Sequence, residues 1–479
     1  KSCLINDGSL MSSNLTLQDC IIGIENAGTA TIADFSASDI DQEAIRNTGV
    51  ATLSDVSIQN MTGGIQSSGD LNIDTAEFNL VGYGLSLSGG ASDIESLTYT
   101  SSIGAAISIF SGASGQINDV QGTATNVITA MDSTGFTFSN LTMSGSRLIN
   151  SWSAGDITID GATFESTTAE TPIDINSSGS VSLSEINLTG QFSSLQGQFD
   201  APWIGVSLGG SGDYSIASSS FEASDTALKA SGTGTLQISD STFTSDRVGL
   251  MLSGIAETNI SNSVVNISSD GEIAIDILQG QHSFENLQLN MPFSAFGTGT
   301  IGLESWWSDI ESESITINGF AEGMKLYETV MSTEDLTIYD SNELGLGAYS
   351  SSVTITDLYD TRVSDIGLEL ESSIATIRTW ASSTHEDAAT IDSGSGNMWI
   401  WQIDGETGSL DWERVSIPNT DSDNDSPRLR LPGPVITQLD SDAPPEMILT
   451  LPVDDNQETD GMGAQYVGME LTSTNELWR

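Results

Sequence analysis

A bend that returns about every 20–24 residues constrains this chain more than any other feature. In ATLSDVSIQN (51–60), apolar Leu53 is followed by Ser54 and Asp55, then by apolar Val56 and Ile58. A straight strand alternates its side chains, so Leu53 and Val56 share a side only if the backbone turns between them. The spacing recurs: anchors equivalent to Leu53 are Leu17, Ile32, Ile73, Ile94, Ile117, Phe138, Ile159, Leu183, Ile216, Ile238, Ile260, Phe284, Ile355, Ile377 and Ile400, with polar versions at Ser312 and Thr333. Apolar side chains follow most anchors three and five residues later, as Leu141 and Met143 follow Phe138.

A second apolar element opens on Gly in most repeats, at Gly23, Gly64, Gly84, Gly249 and Gly367, and a Ser/Asn/Gly cluster closes the unit. Short alternating strands between turn clusters, with almost no period of 3.6, exclude helices. A repeat of this length with two or three strands predicts one coil of a parallel β-helix. The bend then marks a corner where one residue leaves the extended region, which Asn and Asp tolerate best among residues with a Cβ. The position two after each anchor holds Asp19, Asp34, Asp55, Asp119, Asn140, Asp240, Asn262, Asn286, Asp335 and Asp357. The residue before the anchor is predicted to face outward and is often hydroxylated: Thr16, Thr31, Thr52, Thr137, Thr158, Ser182, Thr354 and Thr376. Asn72, Gln116 and Gln237 interrupt that ladder, which weakens an ice-binding reading of it. At an interstrand spacing of about 4.8 Å, about 18 coils would make a solenoid on the order of 80–90 Å long.

The coil spacing, the corner Asn/Asp and the Gly-Ile/Leu element resemble the right-handed parallel β-helix superfamily, the pectin-lyase-like fold, over roughly residues 10–410. The resemblance implies an all-β solenoid, and right-handedness is carried over with it, in line with the general preference of crossovers. Lyases of that superfamily use acidic calcium ligands with an Arg or Lys base, and its hydrolases use clustered Asp beside His. Here Arg46, Arg147, Arg247, Arg362 and Arg378 are scattered and stand in no such string.

Charge narrows the partners. With 66 acidic and 12 basic residues the formal net charge is -54. Nucleic acid and anionic membrane surfaces are excluded as partners, because both are bound by Lys and Arg that displace counterions. Disorder, the other meaning of strong acidity, loses to the 37% of apolar residues and their tight period. Acidity with few Lys (Lys1, Lys229, Lys325) suits a saline habitat. No apolar run reaches the roughly 18–20 residues needed to span a bilayer. A chain that opens on Lys1 is expected to be a segment of a longer, processed protein, and its Asn-x-Ser/Thr sequons, Asn14, Asn60, Asn140, Asn187, Asn259 and Asn266 among them, are candidate glycan sites.

The period breaks at 197–213 and 291–309, and both stretches carry Trp: Trp203, then Trp306 and Trp307 with Asp309 nearby. Exposed indoles beside carboxylates are what a carbohydrate platform needs; the alternative is that each insertion packs its own aromatics on the solenoid. After Ile400 the period fails, so 1–417 is expected to be the β-helix and 418–479 a cap or the start of a following β module. DSDND (421–425) spaces Asp421, Asp423 and Asp425 like the opening of a Ca²⁺ loop, without its Gly and distal Glu; a solvated linker is the other reading. Cys3 and Cys20 sit in the matching strings CLI and CII, which predicts a disulfide between stacked coils, against two buried thiols. His282 and His385 lie on different coils and assemble no metal or nucleophile set. Asp335 and Asp357, one coil apart, are a candidate carboxylate pair.

These residues point to an extracellular, non-catalytic structural or adhesive module of a larger acidic cell-surface or filament protein, with neighbouring domains or copies of the same protein as partners. The competing expectation is a secreted carbohydrate-binding or polysaccharide-degrading protein that uses the Trp-bearing stretches, with Ca²⁺ as the cofactor to test.

Overall fold

The computed structural model describes residues 1–392 except 169, 191–203, 233, 269–270, 293–298, 362, 364–365 and 384–386, and beyond 392 only the strands between 397 and 478. Every regular element among the described residues is a strand. The chain forms two compact units, Lys1–Ser245 and Asp246–Arg479.

In the first unit one coil shows how the repeat works. Strand Thr29–Ser38 changes direction at Asp34, whose φ is 51°, so 29–33 and 35–38 lie on different faces. A second turn at Asp39 (φ 55°) leads to the third face, Glu43–Asn47. The opening bend has the same cause, since Asp55 has φ 53°. Each strand pairs in parallel with its counterparts in the coils before and after. First-face strands start at Ser9, Thr29, Val50, Asp70, Ala91, Ser114, Gly135, Asp156, Val181, Tyr214 and Thr235. The anchors stack as the repeat predicts: Ile32 pairs with Leu53, Leu53 with Ile73, Ile73 with Ile94, and Ile94 with Ile117. All five are at most 1% exposed, so the lumen is a continuous aliphatic stack.

Leu17 is the exception. It stacks on Ala37, and Ser12 lies under Ile32. Two adjacent faces of one coil carry similar apolar alternation, so the first coil fits either register by pattern alone. Asp19 therefore belongs to the second corner, with Asp39 and Asn60, while Asn14 (φ 56°) holds the first.

The recurrent Gly has a steric reason. A Cβ on Gly84 would lie 2.7 Å from the Ala106 carbonyl oxygen of the next coil, closer than side chains tolerate. Where the third face ends, an asparagine ladder runs inside the corner. Asn6 Nδ2 donates to Asn26 Oδ1 at 2.6 Å, Asn26 Nδ2 to Asn47 Oδ1 at 2.7 Å, and Asn47 Nδ2 to Ser67 Oγ at 2.9 Å. Each amide also donates to backbone carbonyls of the turn, so buried polar groups are satisfied rung by rung. Cys3 and Cys20 form a disulfide with Cα atoms 5.8 Å apart. Its geometry is not the one CLI and CII suggest: Ser2 pairs with Ile22 and Leu4 with Ile24, so Cys20 reaches Cys3 from the preceding turn.

In the second unit the anchor column is Ile260, Phe284, Ser312, Thr333, Ile355 and Ile377. Asn262 and Asn286 turn the corner with φ 47° and 50°. Asp335 and Asp357 do not share that conformation: the ladder continues through them, Ser314 to Asp335 to Asp357, and the backbone keeps its extended pairing. Towards the end of this unit the pairing becomes antiparallel. Leu429–Leu431 lies along Asp387–Asp392, and Val435–Thr437, Glu446–Val453, Gly463–Glu470 and Glu476–Trp478 form a four-stranded sheet.

Candidate functional site

The richest chemistry among the described residues lies on the outer side of the third face of the second unit. Its strands run through Ile273–Glu285, Ile301–Asn318, Glu322–Tyr327, Leu344–Tyr349 and Ile366–Glu371. Parallel register turns their sequence into columns. One column is Asp276, Glu304, Lys325, Gly347 and Glu369; the next is Leu278, Trp306, Tyr327, Tyr349 and Glu371.

The aromatic column is a stack. Trp306 lies on Tyr327 with centroids 3.9 Å apart and planes 11° apart, and Tyr327 lies on Tyr349 at 4.8 Å and 14°. The Tyr349 hydroxyl donates to Glu369 Oε2 at 2.7 Å. Burial, and then the Glu369 carboxylate, push the Tyr349 phenol well above its ordinary range.

The charged column is partly desolvated. Burial raises the pKa of Asp276. Burial and the neighbouring Asp276 charge raise that of Glu304, while Lys325 and a hydrogen bond from the Trp306 side chain pull it back. Lys325 forms an ion pair with Glu322, both side chains less than a fifth exposed. Burial works against the Lys325 ammonium, but Glu322 outweighs it and the net shift is upward. Asp276 and Glu304 are thus two carboxylates on adjacent rungs that keep protons to higher pH than free side chains.

Trp306 and Trp307 were expected on an insertion, and the structure corrects that placement. The extra residues of the interval precede Ile301, and Ile301–Asn318 is an ordinary rung. Trp306 ends its third-face segment; Trp307 occupies the following corner with φ 53° and is 49% exposed. Asp309 opens the next face, exposed, between Gln281 and Val330. Asp335 and Asp357 are in-register Cα partners on another face, so the structure does not bring them to this site. Trp203, Asp421, Asp423, Asp425 and His385 lie outside the described residues. Among the described residues no three His, Cys, Asp or Glu side chains gather as a metal site.

His282 is buried in the lumen at 3% exposure, with Thr258 and Ile310 as its register partners. Its Nε2 lies 3.3 Å from the Gln279 carbonyl, and its Nδ1 has no partner. Burial drives its pKa down to about 4 against the pull of Gln279 and Asp309. It is a core residue. The sequons have a structural origin too: a corner Asn, an inward apolar residue and an outward Thr is the repeat itself, as in Asn14-Leu15-Thr16 and Asn140-Leu141-Thr142.

Sequence reasoning missed Asp276, Glu304, Lys325, Tyr327 and Tyr349. Aligning the strands on Ala274, Gly302, Gly323 and Gly345 would have found them, because Asp276, Glu304 and Lys325 fall two residues after the first three and Trp306, Tyr327 and Tyr349 four after the last three. No protein-family model matches this chain, and no curated protein matches it either.

Proposed function

We propose that this chain is a non-catalytic structural or adhesive β-helix module of a larger acidic protein at the cell surface or in a filament. The observation that carries the reading is the fate of the aromatic column. A sugar-processing groove needs open ring faces, whereas Trp306, Tyr327 and Tyr349 cover one another. Their side chains bind successive rungs together, as the asparagine ladder does in the first unit. Ladders of this kind favour a stiff body whose outer surface is a regular polar lattice. A net charge of -54 keeps such a surface hydrated and suits neighbours of the same kind only where cations screen them.

The second reading, a polysaccharide-degrading enzyme, draws on Asp276 and Glu304. Two partly desolvated carboxylates on adjacent rungs are a general-acid and general-base pair in type. Incubating the protein with neutral and acidic polysaccharides, with and without Ca²⁺, separates the readings. The structural reading expects no new reducing ends and no unsaturated products. Turnover that Glu304→Gln abolishes would replace it with the enzymatic one.

A further inference from the structure

We propose that the corner carrying Trp307 is a saccharide-binding site, which takes a pyranose ring of a neutral polysaccharide against the indole. The inference deepens the adhesive reading above and rests on it. The corner after the third face holds, rung by rung, Gln279, Trp307, Glu328, Ser350 and Ser372, with φ of 64°, 53°, 47°, 51° and 51°. Four of these are polar and small or flexible. A bulky aromatic is an outlier in the left-handed region, and such strain concentrates where a ligand is held. Packing within the chain does not account for Trp307, because half of it stays exposed. It meets Trp306 at 5.7 Å with planes 52° apart, so the two indoles do not cover each other as Trp306 and Tyr327 do.

The surroundings suit hydroxyl groups. Gln279 is one rung before Trp307 and Glu328 one rung after; Asp309 is two residues on, with Gln281 as its Cα partner. All four side chains are exposed. Rungs repeat at about 4.8 Å, so Gln279 and Glu328 stand about 5 Å to either side of the indole, and Gln281 and Asp309 lie two residues along the strand from that corner. Amides donate and accept, and carboxylates accept from paired hydroxyls. Leu278, 40% exposed, extends the apolar surface by one rung. The carboxylates and the overall charge of -54 disfavour uronate polymers, which leaves neutral chains as the fitting class.

The test is affinity gel electrophoresis of the full chain in gels cast with galactomannan, xyloglucan or mixed-linkage glucan, with polygalacturonate as the anionic control. The wild type is expected to be retarded by at least one neutral polymer and not by polygalacturonate. Trp307→Asn places a residue suited to the corner, so it should raise the melting temperature while weakening retardation at least tenfold. No retardation of the wild type in any neutral gel, equal retardation of Trp307→Asn, or a lower melting temperature for that variant would overturn the site. Release of reducing ends by the wild type would instead overturn the adhesive reading, whichever way the retardation falls.

Discussion

Replacing His282 by Phe should remove a defined share of the acid sensitivity of the second unit. The folded imidazole has its pKa lowered to about 4 by burial, against 6.5 for the free side chain. A folded value below the unfolded one means that the unfolded chain binds the proton first as pH falls. The protonation penalty is therefore absent above 6.5, and stability is lost progressively from there down to 4. Two and a half pH units at about 1.4 kcal/mol each give about 3 kcal/mol. Carboxylates titrate in the same window, so the quantity to measure is the difference between wild type and His282→Phe. The variant keeps an aromatic ring beside Phe284, which stacks on His282 at 6.4 Å, and satisfies the orphaned Nδ1 by removing it. Urea unfolding of both proteins from pH 7 to pH 4 gives the difference directly. The wild type should lose about 3 kcal/mol more than the variant across that range. Parallel curves would show that the folded imidazole takes up its proton as readily as the unfolded one, and would refute its burial in the lumen.

Other perturbations probe the ladders. Gly345→Ala puts a Cβ 2.5 Å from the Gly367 carbonyl oxygen, so it should destabilise the second unit by about 2 kcal/mol or more in urea unfolding, whereas an exposed Ser-to-Ala change should not. Asn26→Ala removes the acceptor of Asn6 Nδ2 and the donor to Asn47 Oδ1 in a buried corner and should cost about 1–3 kcal/mol in urea unfolding; an unchanged midpoint would contradict the ladder. Lowering ionic strength from 0.5 M to 0.01 M salt with a chelator should lower the melting temperature, since a charge of -54 loses its screening; an unchanged value would contradict a folded state under charge repulsion.

The solenoid was legible because its determinants are local and repeated. A single coil fixes which residues face the lumen, and neighbours copy the choice, so Ile32 through Ile117 could be aligned by inspection. Leu17 shows the limit: where two faces carry the same alternation, hydrogen-bond register decides between them. Asp335 and Asp357 show another, because a corner can be turned without a left-handed residue when the ladder runs through it. The candidate site was less legible. Trp306 looked like part of an insertion because the extra residues come before its strand. The carboxylates of Asp276 and Glu304 become neighbours only through a register that their separation in sequence conceals.

In-register parallel stacking is the claim on which the rest depends, and engineered cysteines test it most directly. Thr31 and Thr52 are exposed Cα partners on successive rungs. At the interstrand spacing of about 4.8 Å their Cα atoms fall within disulfide range. Val50 pairs with Thr29, so Thr31 and Val50 are offset by two residues and stand about 8 Å apart, beyond that range. Under mild oxidation, Thr31→Cys with Thr52→Cys should form an intramolecular bridge, mapped by mass spectrometry, and Thr31→Cys with Val50→Cys should not. A bridge in the offset pair with none in the aligned pair would contradict the stacked coil.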